Sequence, residues 1–235
     1  MARIEEGEGA ARERLLLTLH GVGPVPPTVE PDEAFYWCSN DQFLEILDAA
    51  VHVRDQLGLP VEITFDDGNS TDALVALPAL LERGLHGRFF VCTARIGQPG
   101  YLSADQIRQL RFAGMSVGSH GHAHIDWCDA DDPTLEHELR VSLATLSAIV
   151  GEPLDEAALP FGVYNRRVLR FARQCGVRTL YTSDGGRDRG GRWVVRRQTC
   201  DSTWTRADVI RVATAKVTMV MRLRRLANRI VNYVP

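Results

Sequence analysis

A chain of 235 residues is long enough for one large α/β domain with a sizeable buried core. Apolar residues make up 45% and charged residues 24%, which excludes disordered and collagen-like classes. A net charge of -3 argues against a dedicated nucleic-acid binder, although the segment from Arg187 onward holds twelve Lys or Arg against three Asp. The apolar run Leu15 to Leu19 is too short for a signal sequence, no membrane-spanning run is present, and five singly spaced cysteines (Cys38, Cys92, Cys128, Cys175, Cys200) suit a reducing compartment. The expected location is the cytoplasm.

In chain order, short β-rich runs alternate with helical periodicity. Arg14 to His20 reads as a strand, followed by the Pro-rich loop Gly21 to Pro31, a candidate rim element, and a helix from about Asp41 to Leu57. Val61 to Asp66 is the second strand, and the helix after it, about Thr71 to Arg83, contains Pro78, which predicts a kink or a late first turn. Arg88 to Thr93 is a strand, Ser103 a helix N-cap, and Met115 to Ser119 the fourth strand. A helix from Pro133 to Val150, a strand from Ala157 to Phe161, a helix from Asn165 to Cys175, and strands Val177 to Thr182 and Trp193 to Arg197 complete seven strand candidates. A basic amphipathic helix, about Arg206 to Asn232, ends the chain. Strands separated by single helices favour a parallel sheet, as either a closed (β/α) barrel or an open doubly wound sheet. No Gly-rich phosphate loop follows any strand.

The chemically unusual residues fall at the C-terminal ends of these strands: His20, Asp66 and Asp67, a histidine cluster, and Asp184. In a barrel that face carries the active site. Asp66 and Asp67 close an apolar strand before Gly68, and successive strand residues face opposite sides, so their carboxylates should diverge, one free for a cation and one for a proton. A turn or helix cap is the alternative use of that sequence. His120, His122 and His124 alternate within five residues just after a strand, and either a helical turn or an extended segment would put His120 and His124 on one face. Two imidazoles and a carboxylate leave a divalent ion open positions for water and substrate, as in catalytic zinc. The same set suits a non-haem Fe(II) oxygenase, which would be expected on an all-β sandwich rather than on β/α repeats.

These residues sit in stretches that resemble the polysaccharide deacetylases, the NodB-like carbohydrate esterases: ITFDDG at 63–68, GRFFV at 87–91, GSHGHAHIDW at 118–127, ALPFGVYN at 158–165 and YTSDGG at 181–186. The resemblance implies a single catalytic domain over 1–235 with a deformed (β/α)7 barrel, and metal-dependent removal of an acetyl group, most often N-acetyl, from a sugar or glycan. It implies Asp67, His120 and His124 as ligands of a divalent metal, Zn(II) by default, and Asp66 as the base that deprotonates the attacking water. The oxyanion would lean on a backbone N–H near Phe161, beside Pro160. O-acetyl esterases and other C–N hydrolases share the family.

Three departures stand out. Gly121 stands where the family usually has Ser or Thr, which removes a loop-bracing hydrogen bond. The arginine that often orients the base has no counterpart in Ala157-Ala158-Leu159-Pro160, and Asp184 is a candidate to compensate. The Leu-x-His motif found late in many members is absent there, but Leu17-Thr18-Leu19-His20 ends the first strand, as in relatives that carry it N-terminally, which makes His20 the candidate general acid. The missing arginine and late histidine also motivate a rival reading, a glycan-binding relative without turnover. Trp127 is a candidate sugar platform or a packing residue. The substrate expected in the cytoplasm is a lipid- or nucleotide-linked acetylated sugar, and the basic C-terminal helix offers a face for a membrane surface.

Overall fold

The structure, a computed structural model, describes residues 13–27, 29 and 31–215. Eight parallel strands form a nearly closed barrel: β1 (Leu15–Leu19), β2 (Val61–Phe65), β3 (Gly87–Val91), β4 (Ser116–Ser119), β5 (Glu156–Ala158), β6 (Thr179–Thr182), β7 (Val194–Arg196) and β8 (Gln198–Thr199). Consecutive strands from β1 to β7 are neighbours, and β8 returns to β1. β7 and β8 flank Arg197, so a single segment pairs with β6 through its first half and with β1 through its second. Closure therefore rests on one short stretch of chain. Thr182 O accepts from Arg197 N, and Thr18 O accepts from Cys200 N.

Helices α1 (Pro31–Ala34) and α2 (Asn40–Leu57) follow β1, α3 (Leu77–Glu82) follows β2, α4 (Ala104–Phe112) follows β3, α5 (Asp132–Val150) follows β4, α6 (Arg166–Gln174) follows β5, and α7 (Arg206–Thr214) ends the described chain. Ser103 caps α4 through a capping box with Gln106, Asp131 and Asn165 cap α5 and α6, and Gly58 and Gly151 end α2 and α5 in the left-handed conformation. Pro78 falls in the first turn of α3, after a π-helical turn over Asp72–Ala76. A proline there gives up only an N–H that a helix start leaves unpaired. The expected helix over 206–232 extends beyond the described residues, as do Arg222, Arg224, Arg225 and Arg229.

Inward-facing residues follow the period of two. Leu16, Phe90, Ala158, Tyr181 and Val195 form a small apolar cluster of their own, and Thr64 Oγ1 donates to Thr18 Oγ1 at 3.0 Å. The larger apolar clusters pack β1–β4 against α2, α3, α4 and α7, and the second half of the barrel against α5 and α6. At the N-terminal ends of the strands, Arg88 Nε donates to Glu62 Oε1 at 2.7 Å and its Nη1 pairs with Glu156, with Arg14 and His86 each 3.5 Å from Glu62. Burial raises the Glu62 carboxyl, but the His86 hydrogen bond and Arg88 outweigh it and hold it at about 2. A carboxyl lowered on folding stabilises the fold above its unfolded value of 4.5, and that contribution disappears as pH falls through about 2. Glu62→Gln is expected to cost about 3 kcal/mol at pH 7 and to flatten the stability loss between pH 4.5 and 2, as measured by denaturant unfolding at several pH values.

Candidate active site

At the opposite, C-terminal face the chain turns sharply. Among the described residues, three non-glycine positions have positive φ: Asp67 (77°), His124 (57°) and Phe161 (57°). Each such backbone costs about 1–3 kcal/mol and persists only where the surroundings enforce it. All three meet here. Asp67 Oδ1 lies 3.6 Å from His120 Nε2 and 3.3 Å from His124 Nε2, and the Phe161 ring lies tilted against His124 with centroids 4.7 Å apart.

The carboxylates do not diverge as strand alternation suggests. β2 ends at Phe65, and the left-handed turn at Asp67 brings it back beside its neighbour, so that Asp66 Oδ2 also lies 3.9 Å from His120 Nε2. Their partners divide their labour instead. Arg197, fully buried, donates from Nη1 to Asp66 Oδ1 at 2.6 Å and from Nη2 to Asp66 Oδ2 at 2.8 Å, while its Nε donates to Thr182 O at 3.3 Å. Burial raises the Asp66 carboxyl, but Arg197 and then His120 overcome it and hold it at about 2. Asp67 Oδ1 is buried and has no hydrogen-bond donor among the described residues, the nearest guanidinium nitrogen, Arg95 Nη1, lying 3.7 Å away; a closely bound cation would offset the cost of burying it so. Asp72, buried nearby with both oxygens unpartnered among the described residues, has its carboxyl pushed well up by burial and then by Asp67 and Asp66.

The histidines are prepared for a metal. His120 Nδ1–H donates to Ala158 O at 3.1 Å, which leaves the Nε2 lone pair facing Asp67, and burial holds this imidazole at about 4, neutral at pH 7. Asp67, His120 and His124, with the Cys92 thiol, place one donor atom each within 4.8 Å of the others. Cys92 Sγ itself donates to His120 O at 3.4 Å. The orphaned carboxylate oxygen and two oriented imidazoles fit a divalent ion. His122 turns away, its Nδ1 2.9 Å from Thr93 Oγ1 and its ring edge-on to His137.

Neighbouring segments supply what the motifs lack. Glu138 from α5, buried, accepts from His122 N at 2.8 Å and Ala123 N at 2.9 Å, and so braces the histidine loop. Gly121 is required by that brace: a Cβ there would lie 2.7 Å from Glu138 Oε2, and φ is +81°. Gly121→Ser, which restores the residue the family favours, is therefore expected to destabilise by about 1–3 kcal/mol, read as a lower Tm. The guanidinium absent from the Ala157–Pro160 stretch comes from Arg197, on the segment that closes the barrel.

His20 directly follows β1, its Nδ1 buried and without a hydrogen-bond partner among the described residues, its ring 5.0 Å from Tyr36, and it helps lower the Asp66 carboxyl. The Trp37 ring occupies the space above Gly21, where a Cβ would lie 2.1 Å from it, and Val22 bridges Cys38. Glu33 of α1 has Oε1 3.4 Å from His124 Nδ1 and 3.0 Å from Arg95 Nη2. The His124 hydrogen bond, joined by Arg95, overcomes burial and holds the Glu33 carboxyl at about 2. Two sequence candidates are corrected. Trp127 is fully buried in the second apolar cluster and offers no face to a sugar, and Asp184 accepts from Tyr164 Oη at 3.0 Å while Arg197 alone clamps Asp66. Phe161 is an exposed aromatic at the site, and its neighbour Pro160 is buried.

The C-terminal face of this parallel (β/α) barrel, where such folds carry their active sites, gathers a carboxylate, two imidazoles and an arginine-bound second carboxylate, a donor set that could hold a metal ion. The chain belongs to the polysaccharide deacetylase family, whose sequence profile matches residues 55–180, more than half of its length. It is 26% identical over 133 residues to YxkH of Bacillus subtilis (strain 168), itself assigned by name to the polysaccharide deacetylases; the match covers 55% of this chain and 48% of YxkH, about half the length of that relative. Among solved structures, the fold resembles the Streptococcus pyogenes deacetylase PplD in complex with acetate (TM-score 0.73, 18% identity, 86% of this chain and 99% of that one). It also resembles IcaB from Ammonifex degensii (TM-score 0.71, 21% identity, 87% and 98%).

Proposed function

We propose that this protein hydrolyses an acetyl group, N-acetyl in the first instance, from a sugar or glycan bound over the C-terminal face of the barrel. The observation that carries the reading is the orphaned Asp67 Oδ1 between two histidine Nε2 atoms, beside a carboxylate clamped by Arg197. Asp67, His120 and His124 would hold a divalent ion, Zn(II) by donor type, which when bound supplies a Lewis acid for the acetyl carbonyl and acidifies water.

The protein's own residues do the rest. Asp66, its carboxyl held low by Arg197, takes the proton of the attacking water, and both its oxygens are kept in place by the two-pronged contact with Arg197. Water oxygen bonds to the acyl carbon, the C–N bond breaks, and His20 gives its proton to the departing amine. Tyr36 buttresses the His20 ring, and the backbone N–H at Phe161 is assigned to the developing oxyanion. The rival reading of a relative without turnover loses one of its two motives, since an arginine does hold the base. Release of acetate from N-acetylglucosamine oligomers and from O-acetylated xylan, with and without chelator, tests the proposal. Chelator-sensitive release from the N-acetyl substrate is expected. No release from either, or release that chelator leaves untouched, overturns it.

A further inference from the structure

Two of the three proposed metal ligands share one ion pair behind them. Arg95 lies beyond β3, with Nη1 3.7 Å from Asp67 Oδ1 and its guanidinium 5.1 Å from the Tyr101 ring centroid. Its Nη2 lies 3.0 Å from Glu33 Oε1 and 3.2 Å from His124 Nδ1. Glu33 reaches this point from α1, within the segment between β1 and α2 that carries no ligand of its own.

The chemistry of this triangle decides which imidazole nitrogen faces the metal site. Arginine only donates. If Arg95 alone faced His124 Nδ1, that nitrogen would accept, the ring proton would sit on Nε2, and Nε2 would be closed to a cation. Glu33 Oε1, 3.4 Å from Nδ1 and 3.0 Å from Arg95 Nη2, supplies the competing acceptor: a proton on Nδ1 directed to this carboxylate would leave the Nε2 lone pair toward Asp67 Oδ1, 3.3 Å away.

We propose that Glu33 is a positioning residue that fixes the metal-binding tautomer of His124 and thereby couples the seating of residues 33–38 to metal occupancy. The inference rests on the assignment of Asp67, His120 and His124 to the metal. Coupling is reciprocal: if a seated segment tightens metal binding, metal must steady the segment by the same factor. The wall of the cleft that carries Tyr36 is then ordered most fully in the loaded protein.

The test compares full-length wild type, Glu33→Ala and Glu33→Gln. Zn(II) affinity is measured by competition with a chromophoric chelator, and amide exchange of residues 33–38 is followed with and without Zn(II). Glu33→Ala is expected to bind about 10–100-fold more weakly, the usual effect of losing such an outer partner, with Glu33→Gln between it and wild type because its amide oxygen still accepts. Zn(II) is expected to slow exchange across 33–38 in wild type and to leave it unchanged in Glu33→Ala. Affinity of Glu33→Ala within twofold of wild type overturns the inference, and so does an equal slowing of exchange by Zn(II) in both. If wild type itself binds no Zn(II), the metal assignment fails instead. Should Glu33→Ala not fold, Glu33→Gln carries the comparison, with wild-type affinity and an unchanged Zn(II) effect on exchange as the contrary result.

Discussion

Asp66→Asn is expected to lower kcat/KM for acetate release by about 10²–10⁴-fold, the range that a positioned general base supplies, while one Zn(II) per chain still binds. The asparagine keeps the shape of the side chain but has no site basic enough to take a proton from water. Asp67, His120 and His124 are untouched, so metal affinity is the internal control. The variant also leaves the fully buried Arg197 without its counter-charge, and removal of one partner from such a pair costs about 3–5 kcal/mol. Its stability should be measured first, by denaturant unfolding, so that lost turnover is not mistaken for lost fold.

Arg197→Met produces the complementary effect. Asp66 then stays buried with no guanidinium, and a loss of about 3–5 kcal/mol in unfolding free energy is expected on the same physical ground. Burial, which Arg197 at present outweighs, becomes dominant and raises the carboxyl from about 2. The acid limb of the kcat/KM profile should accordingly move to higher pH, because the base becomes protonated over a range where it is now ionised. Arg197→Lys retains a charge but not the two-pronged contact, so its profile should lie between those of wild type and Arg197→Met. A purely structural arginine would reduce stability without moving the acid limb. The pH profile of the purified, folded variant separates the two roles.

Much of this architecture was legible from local rules. Short β-rich runs located the strands, Ser103 as an N-cap marked the start of α4, and Pro78 marked a late helix start. The histidine spacing and the end-of-strand aspartates identified the face on which to look. What local rules could not show was the division of labour at that face. Alternation predicted that Asp66 and Asp67 would diverge, but it ceases to apply where β2 ends and Asp67 turns left-handed.

Arg197 was missed for a different reason. It lies 131 positions from Asp66, and only barrel closure between β7 and β8 brings the two together. Its parity with Val195, an inward residue, was the available signal. Glu138 carried a clearer one, a carboxylate inside the buried stripe of Leu135, Leu139, Ser142 and Leu143, where an unpaired charge would not be tolerated. Cys92 continues the inward series of Arg88 and Phe90 to the level of the site. Glu33 had no signal at all, since its position depends on the fold of the loop after β1, where the Trp37 ring lies over Gly21.

The proposed hydrolysis would need both the ion and Asp66, and one side-by-side measurement tests that need: acetate release from N-acetylglucosamine oligomers by wild type and Asp66→Asn, each stripped of metal and then titrated with Zn(II). Wild type should regain turnover in proportion to Zn(II) up to one equivalent per chain, while Asp66→Asn takes up the same equivalent and stays inert. Equal turnover by the two proteins, or full turnover by the stripped wild type, would contradict the proposed chemistry.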